Sequence, residues 1–178
     1  MITTAVRRRT AAAIFLSFGL LAGAGPAAAR PVPADQAAEL PPDPGDAGRA
    51  TLAGVDVNDN GVRDDLERYI AQHFGDDPRV LRAVANAVIA TQHGILSTDD
   101  HESRSAQAML LRVGDCMGAI GPALAPYGDA LLRLRRRIDD TPERRQALEA
   151  HMARVMRMND SVRVEQGWDE CCERRVDE

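Results

Sequence analysis

The chain has 178 residues, 27 of them acidic and 22 basic, and every basic residue is arginine. Without lysine the protein cannot form a Schiff base or a phosphate-binding Gly-Lys loop, and its acidic balance argues against nucleic acid as a partner. Aromatic residues make up only 3% of the sequence, so the core must be built mainly from Leu, Val, Ile, Ala and Met.

The first 29 residues have the pattern of a secretory signal peptide. Arg7 to Arg9 precede an apolar run from Ala11 to about Ala24, and the small residues Ala27 to Ala29 follow. We expect cleavage after Ala29 by the general secretory route, with twin-arginine export as the alternative. The mature chain then loses three arginines and no acid, so its formal charge falls from −5 to −8. No later stretch is long enough to span a bilayer, which predicts a periplasmic or secreted product.

Residues 30–50 contain five prolines and almost no large apolar side chain. Such a segment cannot bury enough surface to offset its ordering entropy. We therefore predict a disordered tether over 30–50 and a single helical domain over 51–178.

The remaining sequence predicts an all-α, bundle-like domain of about five helices, preceded by the loop described below. Apolar residues recur at spacings of three and four, and Asp-Pro, Thr-Pro and Ser-Thr-Asp stretches mark helix starts. Gly94 is interpreted as the stop of the second helix. The fifth helix is expected to carry an apolar stripe of Leu148, Met152, Val155 and Met156. The predicted helices cover about 64–74, 78–93, 99–120, 127–138 and 142–156.

The stretch Asp56–Glu67, "DVNDNGVRDDLE", fits the calcium-loop pattern D-x-[DN]-x-[DN]-G-x5-E in full. A cation of this size takes six to eight oxygens at about 2.3–2.6 Å, and alternate side chains of a tight loop can supply them. The main-chain carbonyl at the seventh position adds one oxygen, and a glutamate on the first turn of the following helix closes the shell. Gly61 permits the sharp turn.

This stretch resembles the single calcium loops of thrombospondin type 3 repeats and of secreted bacterial proteins, which are similar in design to EF-hands. The resemblance covers about 12 to 17 residues and implies calcium as the cofactor, bound by Asp56, Asn58, Asn60, the Val62 carbonyl, Asp64 and Glu67. The eighth position, usually apolar in paired EF-hands, is Arg63, and the preceding residues make a poor entering helix. Both departures argue against a paired, switch-like sensor.

Two alternatives to calcium stay open for this loop. Asx turns use the same residue types, so the stretch can also be a capped turn without an ion. Magnesium requires stricter octahedral geometry and retains more water, so it suits the spacing less well. Because two of the side-chain donors are neutral asparagines, we expect a calcium dissociation constant of about 10⁻⁴–10⁻³ M.

Three cysteines remain in an exported and therefore oxidising setting. Adjacent cysteines rarely pair, so we predict a disulfide between Cys116 and either Cys171 or Cys172, which would tie the C-terminal tail to the helices. The alternative is a thiol-based metal or redox site, although Cys-Cys lacks the Cys-x-x-Cys spacing of such sites.

No catalytic motif is present in the sequence, and the four histidines are interpreted as surface or helix-end residues. The sequence thus predicts a non-enzymatic binding or interaction module with one structural calcium ion and an unidentified protein partner. One alternative is a periplasmic enzyme whose site assembles only in three dimensions, from residues such as Asp115, Arg133 and His151. The other is an envelope factor that handles thiols or metals.

Overall fold

The computed structural model describes residues 40–158. These residues contain five main helices and no strand, which confirms the predicted all-α class. The predicted signal peptide, most of the predicted tether, Cys171 and Cys172 lie outside the described residues. The main helices are α1 (Asp64–Phe74), α2 (Pro78–Leu96), α3 (Asp100–Ala119), α4 (Gly128–Ile138) and α5 (Pro142–Met158), with a helical turn at Gly121–Leu124 and 3-10 turns at Gly45–Arg49 and Ala125–Tyr127.

Helix α2 lies at the centre of the bundle and contacts the other four main helices. It can do so because its side chains are apolar on more than one face, with Val80, Val84, Val88, Ile89 and Ile95 all buried. Helices α3 and α5 also pack on each other, as do α1 and α4. The candidate loop, Asp56–Glu67, leads into α1.

The starts of α2 and α3 follow from local sequence. The Asp77 carboxylate accepts the Arg79 amide at 2.9 Å, with Pro78 in the first turn. The Asp99 carboxylate accepts the Glu102 amide at 2.8 Å, and the Glu102 carboxylate accepts the Thr98 amide at 2.6 Å. This reciprocal arrangement is that of a capping box displaced by one residue.

The interpretation of Gly94 as a helix stop is wrong, because α2 continues to Leu96. A Cβ atom built on Gly94 would stand 2.9 Å from Cδ2 of His151 on α5. Glycine is required there because the imidazole packs directly against the α2 backbone. This contact outweighs the lower helix propensity of glycine.

The inward face of α5 also differs from the prediction. Met152 and Met156 are 40% and 74% exposed, whereas Arg144 and His151 are fully buried. The interpretation of His151 as a surface residue is therefore wrong. The apolar pattern misled here because the face that contacts α2 and α3 carries polar side chains.

The predicted boundary of the folded part at Thr51 lies too late in the chain. Residues 45–49 form a 3-10 turn, and the Arg144 guanidinium donates to the carbonyls of Gly48, Thr51 and Leu52 at 2.6, 2.8 and 3.1 Å. Hydrogen bonds from a distant helix thus contribute to the order of this proline-rich stretch, in which Pro41 is also buried.

Within residues 40–158 no single helix is long and apolar enough to cross a bilayer, although Asp100–Ala119 and Gly121–Ile138 meet that test together across an 87° bend.

Candidate metal-binding loop

The loop between Gly54 and α1 makes a tight circuit that ends beside its own start. The Asp64 amide donates to the Val55 carbonyl at 2.9 Å, which closes the circuit at the first residue of α1. Asp59 and Gly61 have φ angles of +53° and +81°. At Gly61 this conformation explains why the sixth position of the pattern is glycine.

Two Asx-type contacts shape the inside of the loop. The Asp56 carboxylate accepts the Asn60 amide at 3.2 Å and the Gly61 amide at 2.9 Å. The Asn60 side-chain oxygen accepts the Val62 amide at 2.9 Å. Asp56 and Asn60 thus have partners without an ion, as the metal-free turn requires.

The third and twelfth positions of the pattern meet across the loop. The Asn58 Nδ2 donates to Glu67 Oε2 at 3.2 Å, and lies 3.5 Å from Oε1. The predicted spacing therefore does bring the glutamate of α1 back to the loop. The Val62 side chain, by contrast, belongs to the hydrophobic core and is 4% exposed, so any donor from this residue is its carbonyl.

Asp64 is the one predicted ligand with a buried side-chain oxygen that has no hydrogen-bond partner in the described structure. Its side chain is fully buried, and Oδ1 accepts the Val57 amide at 3.0 Å. Its second oxygen, Oδ2, is buried without a hydrogen-bond partner among residues 40–158. Burying a carboxylate oxygen without a partner costs free energy. A cation bound at this point would remove that cost, whereas the metal-free turn does not account for it.

The donors of the loop are of mixed type. No group of three His, Cys, Asp or Glu side chains in the described part of the chain is placed to hold a metal ion, so the carboxylates of Asp56, Asp64 and Glu67 are not gathered around one point. The predicted shell would combine these three carboxylates with two asparagine amides and one main-chain carbonyl. Such an all-oxygen set fits calcium and excludes the thiolate and imidazole chemistry of structural zinc.

The residues of the enzyme alternative do not form a common site. Asp115 is exposed on α3, and Arg133 on α4 donates to the Tyr69 hydroxyl at 3.4 Å. His151 is buried against Gly94, and neither ring nitrogen has a partner among the described residues. Burial lowers the pKa of His151, and the nearby Arg154 charge lowers it further.

An open cavity of about 290 Å³ lies where α2 meets α3. It is lined by His93, Leu96, Ser97, His101, Glu102 and Ser105. The Glu102 carboxylate is held by the amide and hydroxyl of Thr98, which lower its pKa.

Three buried side chains were not expected from the sequence. Arg63, Arg144 and His151 are each at most 1% exposed. Each makes a contact that is remote in sequence, as Arg144 does with Gly48, 96 residues away. The departure of the eighth loop position from the EF-hand pattern was the only signal that pointed to one of them, Arg63.

No protein-family model matches this chain, and neither the curated proteins nor the solved structures contain a match to it.

Proposed function

We propose that this is an exported helical protein whose loop Asp56–Glu67 binds one calcium ion, and that the ion fixes the loop to the start of α1. The ligands are Asp56, Asn58, Asn60, the Val62 carbonyl, Asp64 and Glu67. The protein acts as a binding or interaction module without catalysis of its own. A disulfide from Cys116 to Cys171 or Cys172 ties the tail to α3.

The buried, unpartnered Oδ2 of Asp64 carries this proposal. Hydrogen bonds within the loop account for Asp56 and Asn60, so those residues alone do not distinguish an ion site from a capped turn. Asp64 is different, because its carboxylate is removed from water and only half satisfied. A divalent cation would supply the partner that this oxygen lacks.

Calcium is favoured over magnesium by the kind of ligand. Calcium accepts irregular shells of six to eight oxygens, including neutral amides and carbonyls, whereas magnesium holds its waters in near-ideal octahedra. The amide of Asn58 now presents its nitrogen to Glu67, and ligation requires its oxygen instead. That rotation gives up the contacts of Nδ2 with Glu67 at 3.2 and 3.5 Å.

Thermal unfolding of the mature, oxidised protein tests the proposal. The midpoint is measured in millimolar calcium, in magnesium and in a chelator, for the natural sequence and for Asp56→Ala. We expect a rise of several degrees that is selective for calcium and that Asp56→Ala abolishes.

Asp99→Ala is the matched control, because it also removes a carboxylate that accepts a main-chain amide, at the start of α3. It should lower the midpoint equally in calcium and in chelator. Equal midpoints in all three solutions for the natural sequence would reduce the loop to a capped turn.

A further inference from the structure

Arg63 lies between two proposed calcium ligands, the Val62 carbonyl and Asp64, yet its side chain is only 1% exposed. Its guanidinium does not turn toward the proposed ligands. Nε and Nη2 donate to the two oxygens of Asp65, each at 2.9 Å. The bidentate pair compensates the buried charge locally, so Arg63 adds little positive potential against an incoming cation.

The same guanidinium ends on the last turn of α4. Nη2 donates to the Arg137 carbonyl at 2.9 Å, and Nη1 donates to the Ile138 carbonyl at 3.1 Å. Carbonyls at a helix C-terminus lack helical partners and carry partial negative charge, so a planar guanidinium suits them both in geometry and in sign. The side chain therefore fastens the loop to an element 74 residues away in sequence.

The backbone of Arg63 is held as firmly as its side chain. Its amide donates to the Gln92 side chain of α2 at 3.2 Å. Its carbonyl accepts the amides of Leu66 and Glu67 at 2.9 and 2.8 Å. One residue thus joins the exit of the loop to α2, to α4 and to the glutamate that closes the proposed shell.

We propose that Arg63 is the positioning residue of the calcium loop. It braces a lone loop against the helical core, where paired EF-hand loops brace each other. This inference rests on the proposed function, since it concerns the affinity of that same site. Arg63 holds the carbonyl of Val62 and the carboxylate of Asp64 in a fixed orientation before calcium binds. Without Arg63, these two ligands would have to become ordered when calcium binds, and the entropy cost of ordering them would weaken the affinity.

Calorimetric calcium titration of the natural sequence, Arg63→Met, Arg63→Lys and Phe74→Leu tests this role. Phe74 is fully buried at the other end of α1, about 10 Å beyond Glu67 by helical rise, so Phe74→Leu lowers global stability without touching the site. We expect the calcium dissociation constant to rise at least tenfold for Arg63→Met and to change less than twofold for Phe74→Leu.

Arg63→Lys keeps the charge but not the planar fork that bonds Asp65 and two carbonyls, so we expect a rise of about threefold to tenfold. If Arg63→Met does not fold, the dissociation constant of Arg63→Lys is used to test the proposal. Hydrogen exchange of the Val62 to Glu67 amides in chelator gives a second readout, and faster exchange in the Arg63 variants is expected.

The outcomes separate the two proposals. Calcium binding by the natural sequence with an unchanged dissociation constant in folded Arg63 variants overturns the positioning role and leaves the calcium site standing. Failure of the natural sequence to bind calcium overturns the site itself, and the positioning role with it.

Discussion

The substitution Asp64→Asn should change stability in opposite directions with and without calcium. In a chelator the natural protein buries a carboxylate with one oxygen that lacks a partner in the described structure. Leaving such a group unsatisfied costs about 1–3 kcal/mol. Asparagine keeps an oxygen for the Val57 amide and removes the buried charge, although its Nδ2 then lies without a partner at the position of Oδ2. An unpartnered charged group costs more than a neutral one, and the loss of interaction with the α1 dipole is about 0.3–1 kcal/mol, so we expect a net gain of less than about 1 kcal/mol.

In calcium we expect the natural protein to be more stable than Asp64→Asn. With a dissociation constant of about 10⁻⁴–10⁻³ M, 10 mM calcium is roughly 10 to 100 times that constant, and the natural protein gains about 1.4–2.7 kcal/mol. Asp64→Asn removes one of three charged ligands and should lose most of this gain. The natural protein is then the more stable of the two by about 1 kcal/mol.

Urea unfolding followed by circular dichroism measures both differences, provided that the slopes with denaturant agree. Asp99→Asn is the control, because its carboxylate caps α3 outside the loop and should respond identically in calcium and in chelator. If Asp64→Asn shifts the free energy of unfolding by the same amount in both solutions, the buried oxygen is not a calcium ligand and the reasoning fails.

Three further predictions concern the helices. Gly94→Ala should destabilise the protein by about 1–3 kcal/mol although alanine favours helix, because the new Cβ would stand 2.9 Å from His151, and a double-mutant cycle with His151→Ala in urea should recover part of the loss. Because burial lowers the pKa of His151, the unfolded state takes up the proton first, so stability should be full above about pH 6.5 and fall below it, with a shallower fall in His151→Gln. Non-reducing digestion with mass spectrometry should recover a peptide pair that joins Cys116 to Cys171 or Cys172; a native oxidised protein in which Cys116 alkylates freely would contradict this pairing.

Helix positions were predictable because their signals are local. Asp77 with Pro78 and Asp99 with Glu102 act within one turn, and the apolar spacing of α1 to α4 identifies the faces that the structure buries. Gly94 was misread for the same reason. A glycine near the end of an apolar pattern indicates a stop locally, whereas the contact that requires it here comes from α5.

In the candidate loop, too, local features could be predicted from the sequence and contacts with distant residues could not. The spacing predicted a sharp turn at Gly61 and the return of Glu67 to the loop, and the structure has Gly61 at a φ of +81° and Glu67 hydrogen-bonded to Asn58. Spacing could not reveal that one oxygen of Asp64 has no partner among residues 40–158, because that property depends on where the remaining chain packs.

A common physical problem links the buried arginines to the proposed ion. The described chain begins with an irregular segment, and such a segment leaves carbonyls and carboxylates without helical partners where it meets a bundle. Arg144 serves three of these carbonyls and Arg63 serves two at the end of α4. Among residues 40–158 the buried atoms without a partner are Asp64 Oδ2 and the two ring nitrogens of His151, and only the Asp64 carboxylate carries a negative charge that a cation would balance. Arg144 thus holds the end of the proline-rich segment against α5, and the proposed calcium ion would satisfy Asp64 in a comparable way.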